Sequence, residues 1–501
     1  MTINIHTIAF HGIQTLNVVV QIHLAKGIPA FNIVGLPDKA IAESKERIRA
    51  SLTSINLVLP IHRITVNLSP ANLFKEGSHY DLPIVIGLLT IMNVIPKVNN
   101  LSSYIILGEI SLDGSIISVP GVLPSAISAY KQKKGIICPY DNGPEAALIN
   151  NITILPVKHL ISLINHFNHN EKIPPPTKKS ITNNTSIMNM KDVKGQLIAK
   201  RAIEIAAAGG HNLLMIGPPG TGKSMLAKRL LSILPDLNDD ELIDISVIAS
   251  IYQKCSKLLT SRPFREPHSS SSLAAMIGGG RNAYPGEVTL AHNGVLFLDE
   301  LPEFSRYVLD ALRQPLENKN ILIPRLKSHV TYPANFQLVA AMNPCRCGYF
   351  DNPNHYCPRI PKCAIEYQSK ISGPIMSRID IHIAVPNINI FSHECHNNSE
   401  DSQSIKKRVI NARKIQENRY ANLSLKCNAL LSENDIEKFF LLNKNALKLL
   451  KNAIHNFHLS IREYTKIFKV ARTIADLASK DIIEEDHIAE ALTYLNKNCQ
   501  K

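Results

Sequence analysis

Tryptophan is absent from this 501-residue chain, and aromatic residues make up only 6% of it. Base stacking on aromatic platforms is therefore a weak component of any nucleic-acid contact. Long apolar stretches are missing too. The longest run, Leu82 to Pro96, is interrupted by Pro83, Thr90 and Asn93, so it reads as a core helix, and no membrane partner is expected. The start, Met1-Thr-Ile-Asn-Ile-His6, has neither a basic lead nor a clean apolar segment, so no secretory signal is expected. Nine cysteines without an export signal then imply reduced thiols and a cytoplasmic protein. No long-period internal repeat is evident. Acidic residues are outnumbered: 41 Asp and Glu stand against 55 Lys and Arg, a formal charge of +14. That excess favours an anionic partner, nucleic acid ahead of membrane, against the plainer reading of a generally Lys-rich composition without a focused patch.

What is present is a phosphate-binding loop. Gly217-Pro218-Pro219-Gly220-Thr221-Gly222-Lys223-Ser224 matches G-x-x-x-x-G-K-[ST]. An apolar run before it, Asn212 to Ile216, reads as a buried strand, and Met225 to Leu231 after it reads as a helix. Glycines let backbone N–H groups close on phosphate oxygens, and the helix N-terminus adds partial positive charge. In this setting Lys223 would reach the β- and γ-phosphates of ATP, and the Ser224 hydroxyl would hold Mg2+. Downstream, Gly294-Val-Leu-Phe-Leu-Asp-Glu300 is an apolar strand ending in two carboxylates. Alone, such a run is often a strand leaving the core. Paired with the loop, it makes Asp299 the second Mg2+ residue and Glu300 the group that polarises the attacking water.

Length and a hydrophobic content of 45% predict two or three domains with well-buried cores. Residues 1–166 read as one compact α/β unit. Within it Val18 to Leu24 alternates like a strand, Pro37 and Asp38 open a helix through Leu52, and Ile64 to Leu68 is a further strand. Residues 167–190, with Pro174-Pro-Pro176 and Lys178-Lys179, have the composition of a linker. Residues 191–390 hold the nucleotide motifs. A polar connection and the start of a lid cover 391–430, and 431–501 show apolar residues at helix spacing.

The segments Asp192-Val-Lys-Gly-Gln196, Ala206 to Asn212, Arg262-Pro-Phe-Arg265, Leu290-Ala-His-Asn-Gly294, Leu312-Arg-Gln-Pro-Leu-Glu317 and Ala341-Met-Asn-Pro344 resemble the magnesium-chelatase-like AAA+ proteins of the ComM/YifB type. Val34-Gly-Leu-Pro37, Asn67-Leu-Ser-Pro70 and Gly108 to Gly114 extend the likeness over nearly the whole chain. The resemblance implies an α/β fold with a Lon-protease-like (S5-like) N-terminal domain, an AAA+ P-loop core with a parallel sheet, and a C-terminal helical lid. It also implies a hexameric, ATP-driven DNA motor promoting branch migration in recombination or transformation, with single-stranded or branched DNA as partner. Matched by position, Asn343 looks like the sensor-1 residue that orients the lytic water. Arg378 looks like the arginine finger that reaches a neighbouring subunit's γ-phosphate, and Arg462 like the sensor-2 arginine on the lid. Two loop insertions, Gly278 to Gly286 and Ile321 to Thr331, resemble pore hairpins of ring helicases. Arg281, Arg325 and Lys327 on them are the DNA-contact candidates, set against ordinary surface charge at a hairpin tip.

Two further features stay open at this level. Cys345, Cys347, Cys357 and Cys363 fall in one short stretch, which suits Zn2+ held by four thiolates. Their spacing is not the usual pair of C-x-x-C knuckles, His355 is an alternative ligand, and a loop of reduced thiols is the other reading. At the front, the Lon likeness rests on Phe74 to Ser78 and Gly108 to Gly114. Lon-type proteolysis needs a Ser nucleophile and a Lys base. Ser78 stands about one place off without an evident base, and the region expected to hold the Lys reads Pro120-Gly-Val-Leu-Pro124. No peptidase activity is expected, and a scaffold or DNA-binding collar is. The alternative to a DNA motor is a chaperone-like ATPase that remodels a protein or metal-insertion partner, because the nucleotide site is common to both.

Overall fold

The computed structural model describes residues 2–96, 101–177, 188–252, 261–280, 283–325, 328–348, 350, 357–387, 400–423, 425–432 and 435–495. The chain divides into two compact units: Met1–Thr182 with Asn238–Thr260, and Asn183–Leu237 with Ser261–Lys501.

The first unit is built on a seven-stranded mixed sheet. Its spatial order is Ala30–Val34, Arg63–Ser69, Gln14–Ala25, Thr2–His11, Tyr104–Ile106, Gly135–Pro139, Ile154–Val157. Val18, Val20 and Ile22 face the core while their neighbours do not, the period-two pattern of a half-covered strand. Asp38 caps the helix Lys39–Ser54 by accepting from the Ile41 N–H at 2.8 Å, and Ile41, Ile48 and Leu52 form its buried stripe. The helix Asp81–Ile91 is buried at every position, which accounts for apolar residues on all of its faces. Among the described residues no helix is long and apolar enough to cross a membrane.

The second unit centres on a five-stranded sheet in the order Phe264–Arg265, Val295–Leu298, Gln337–Met342, Leu213–Ile216, Ile381–Ala384, with every neighbouring pair parallel. Val295–Leu298 and Gln337–Met342 are buried at all positions, as expected of strands covered on both faces. Leu213–Ile216 comes first in the chain yet lies between two later strands. The order of connections reverses there, and a crevice opens beyond the carboxyl ends of the strands. The helices Lys444–Phe457, Ile461–Leu477 and Glu485–Thr493 occupy the C-terminal stretch.

Two segments differ from the sequence reading. Residues 238–260, sequentially inside the nucleotide-motif stretch, belong by packing to the first unit. The helix Asp239–Tyr252 buries Leu242, Ile245 and Ile248, and the Gly121 N–H donates to the Ser250 carbonyl at 2.9 Å. Periodicity announces a buried face but not the surface that covers it. The polar connection also contains an 18-residue helix, Ser402–Arg419, held by a narrow stripe of Ile405, Val409 and Ala412. Its low apolar content hid it.

Candidate active site

The strand Leu213–Ile216 delivers the phosphate loop to the crevice. Close approach fixes Gly217, where a Cβ would meet the Val385 carbonyl oxygen at 2.2 Å. Gly222 has φ +84°, a conformation that L side chains rarely adopt, and it turns the loop into the helix Lys223–Ile233. No side chain caps that helix, so its first N–H groups remain open to an anion.

Lys223 is 8% exposed and donates to the carbonyls of Gly217 at 2.7 Å and Pro218 at 2.8 Å, and to Asn343 Oδ1 at 3.3 Å. Burial pulls its pKa down, and the charges of Asp299 and Glu300 oppose that shift. Ser224 Oγ donates to Asp299 Oδ2 at 2.8 Å. The pair fits Mg2+: neighbouring oxygens on an octahedral ion with bonds of about 2.0–2.1 Å lie about 2.9 Å apart. Glu300 follows with φ +51°, a left-handed backbone uncommon for Glu, and its N–H donates to Asp299 Oδ1 at 2.9 Å. Next to these groups lies a polar chamber of about 440 Å3 lined by Ser269, Ser270, Glu300, Glu303, Asn343, Arg346 and Tyr367. Burial raises the Tyr367 pKa, followed by the nearby carboxylates, so the phenol stays protonated. Arg346, Tyr367 and Glu303 escaped the sequence reading because no motif spacing brings them to Glu300.

The two further arginines lie elsewhere. Arg378 precedes the strand Ile381–Ala384, whose first residue pairs with Leu213, so it sits at the strand-start edge of the sheet, opposite the phosphate loop. Its guanidinium donates to Glu317 and, at 2.5 Å, to the Pro374 carbonyl. Arg462 reaches the same place: its Nη1 donates to Ser377 Oγ at 3.4 Å. Lys466, on the same helix, donates to the Ile379 carbonyl at 2.6 Å. Arg462 therefore accompanies Arg378 and is not beside this chain's own Lys223, which sequence position on a lid helix could not reveal.

The sulfur atoms of Cys345, Cys347, Cys357 and Cys363 all lie within 4.8 Å of one another. Tetrahedral Zn2+ with bonds of about 2.3 Å needs about 3.8 Å between sulfurs, so the Cys345–Cys347 pair, at 3.2 Å, would open while the wider pairs close. His355 lies outside the described residues. So do Arg281 and Lys327, while Arg325 is the last residue of the strand Asn320–Arg325, which pairs antiparallel with Ser328–Pro333. This hairpin meets the other insertion where the Tyr332 hydroxyl donates to the Ala283 carbonyl at 2.8 Å.

In the first unit, Ser78 Oγ donates to the Glu109 carboxylate, so the serine does have an acceptor, which the sequence reading had not found. Both line a cavity of about 410 Å3 with His79, Glu145 and Ser250, and no Lys or Arg is among its lining residues. Burial drives the His79 pKa down to about 4, leaving a neutral imidazole bonded to the Ile8 carbonyl at 2.9 Å. Lys75 is also buried and donates to the Gly35 carbonyl at 2.9 Å.

Comparison with known proteins shows the family of the chain. Three family models match: magnesium chelatase subunit ChlI over residues 189–392, subunit ChlI of Mg-chelatase over 20–142, and the ChlI C-terminal model over 399–495. The competence protein ComM of Haemophilus influenzae is 40% identical over 498 residues, covering 98% of this chain and 96% of that protein. The chain belongs to the magnesium-chelatase-like ComM/YifB family. YifB of Escherichia coli is 41% identical over 494 residues, 98% of this chain and 96% of its own length. A weaker likeness, 26% over 191 residues, reaches the DNA replication licensing factor mcm6 of Dictyostelium discoideum, covering 38% of this chain and 19% of that protein. Membership in this AAA+ family supports ATPase activity with ATP and Mg2+ as cofactors.

Proposed function

We propose that this ComM/YifB-family chain is an ATP-hydrolysing ring motor acting on DNA in the cytoplasm, with branch migration in recombination or transformation as its task. The observation that carries the ATPase part is the convergence of Lys223, Ser224, Asp299, Glu300 and Asn343 from three adjacent strands. Lys223 exchanges its loop carbonyls for the β- and γ-phosphates. Ser224 and Asp299 would hold Mg2+, which would supply charge neutralisation on the phosphates. Asn343 orients a water whose proton passes toward the Glu300 carboxylate.

Arg378 and Arg462 at the far edge of the sheet support a head-to-tail ring in which each subunit completes its neighbour's site. A hexamer follows from the family likeness. The DNA reading draws on the +14 charge, the two hairpins, the name of the competence relative and the mcm6 likeness. The first unit, a Lon-like fold without peptidase activity, serves as collar or scaffold, and the three C-terminal helices serve as the lid. Turnover should rise when single-stranded or branched DNA is added to the purified chain, and the rise should be absent from Lys223→Ala. Contact with 6–10 phosphates weakens DNA binding by about 10³–10⁵ between 50 and 200 mM salt, so the stimulation should fade over that range. Robust turnover indifferent to every DNA at low salt overturns the DNA reading in favour of remodelling a protein or metal-insertion partner.

The four cysteines hold Zn2+ in this reading. They run from just after Asn343, which follows the strand Gln337–Met342, into the helix Lys362–Gln368, where the Gln368 amide donates to the Pro344 carbonyl at 3.0 Å. Elemental analysis of the purified chain should find about one zinc per chain, and Cys363→Ser should lose most of it and lower the melting temperature. A metal-free wild-type chain prepared without chelator removes the zinc reading.

A further inference from the structure

We propose that Glu317 is a positioning residue for Arg378, and that the helices following the Asp299–Glu300 strand present this arginine to the neighbouring subunit. The proposal rests on the trans role of Arg378 given above.

The guanidinium of Arg378 is gripped on two edges. One terminal nitrogen pairs with Glu317 and the other donates to the Pro374 carbonyl, while Nε is buried without a partner among the described residues. Only 14% of the Arg378 side chain is exposed, whereas Glu317 is 52% exposed. An exposed carboxylate of this kind adds little to stability. Its effect is to restrict the rotamers of a long side chain, which is what a group aimed across an interface requires.

The brace has a second anchor. Ser372 Oγ donates to Asp310 Oδ1 at 2.8 Å, and Arg313 Nη2 donates to Ser372 Oγ at 3.2 Å while pairing with Asp310 at 2.8 Å. Asp310 lies on the helix Arg306–Ala311, and Arg313 and Glu317 lie on the helix Arg313–Asn318. Residues 372–378 are thus held at both ends by one helix pair. That pair follows Glu300 through the buried turn of Leu301 and Pro302. A shift at Glu300 on nucleotide binding or loss has a short route to Arg378, along the chain as far as Glu317 and through the ion pair from there, so the state of one site biases completion of the next. Nothing about the spacing of Glu317 and Arg378 in the sequence announces this.

Mixed assemblies of the full chain test it. A Lys223→Ala subunit is inactive at its own site and still offers Arg378 to its neighbour. Wild-type protein is mixed with an excess of Lys223→Ala, Lys223→Ala/Arg378→Ala or Lys223→Ala/Glu317→Gln chains, and ATP turnover per wild-type chain is read with co-assembly checked by sedimentation. Misplacement of a catalytic group by about 1 Å costs up to about 100-fold, so Glu317→Gln donors should lower kcat about tenfold or more relative to Lys223→Ala donors. KM for ATP should stay constant, and Glu317→Asp should recover part of the rate. Lys223→Ala/Asp310→Asn, which reaches the same segment without touching Arg378, serves as donor if the Glu317→Gln chain does not co-assemble. Equal turnover with Glu317→Gln and Lys223→Ala donors overturns the proposal, as does higher turnover, which would mean that Glu317 withholds the arginine. Arg378→Ala donors that support full turnover overturn the trans role itself, a separate and recognisable result.

Discussion

Glu300→Gln is expected to bind ATP and fail to turn it over. The substitution keeps size and hydrogen-bonding reach, and Gln tolerates the φ of +51° no better and no worse than Glu, so the loop should stay as it is. What is lost is the proton acceptor. A positioned general base contributes about 10²–10⁴-fold, so kcat should fall by that factor, about 3–5 kcal/mol on the barrier. Lys223→Ala should differ in kind. It removes the cation that answers the β- and γ-phosphates, so nucleotide affinity and turnover fall together. The two variants are separated by measuring the dissociation constant of a fluorescent ATP analogue beside steady-state turnover. A Glu300→Gln protein within a few-fold of wild-type kcat would remove Glu300 from the chemistry and leave the chamber beside Asn343 to supply another base.

Arg378→Ala should be as severe, with the defect lying in the neighbouring subunit. A trans arginine is worth about 10³–10⁵ in kcat. Neither Arg378→Ala nor Lys223→Ala alone should hydrolyse ATP appreciably, yet an equal mixture should regain activity, because one chain contributes an intact phosphate loop and the other an intact arginine. Arg462→Ala should complement Lys223→Ala in the same way, since Arg462 lies against Ser377, beside Arg378. Mixtures that assemble but stay inactive would return both arginines to a structural role.

The parts of the site that could be read from sequence are those encoded in contiguous residues. The phosphate loop carries its chemistry in eight consecutive positions, and Asp299 and Glu300 end a strand whose apolar run is visible on its own. Asn343 needed the family likeness, because one Asn after an apolar strand has no spacing rule. Arg346, Tyr367 and Glu303 were invisible because they meet Glu300 only through the folding of the cysteine loop and a short turn. Arg462 was legible as a helix residue but not as a companion of Arg378, since the edge of a sheet that a later helix covers depends on tertiary packing. Likewise Ser78 was read as lacking an evident base, and its carboxylate partner, 31 residues away, could not be anticipated.

The helix Asp239–Tyr252 sets the terms on which this protein can be cut. It lies between the phosphate loop and the Asp299–Glu300 strand in sequence, yet it groups with the first unit, where the Gly121 N–H donates to the Ser250 carbonyl, and it buries Leu242, Ile245 and Ile248. The first unit is therefore discontinuous in the chain. A fragment beginning after residue 182 carries this helix away from the surface that buries it and exposes an apolar stripe, while a fragment ending there leaves an open seat. Neither half is a self-sufficient cassette. Limited proteolysis in the linker should nick the chain without releasing two well-behaved pieces, and genetic exchange of the front unit among relatives must bring this helix with it.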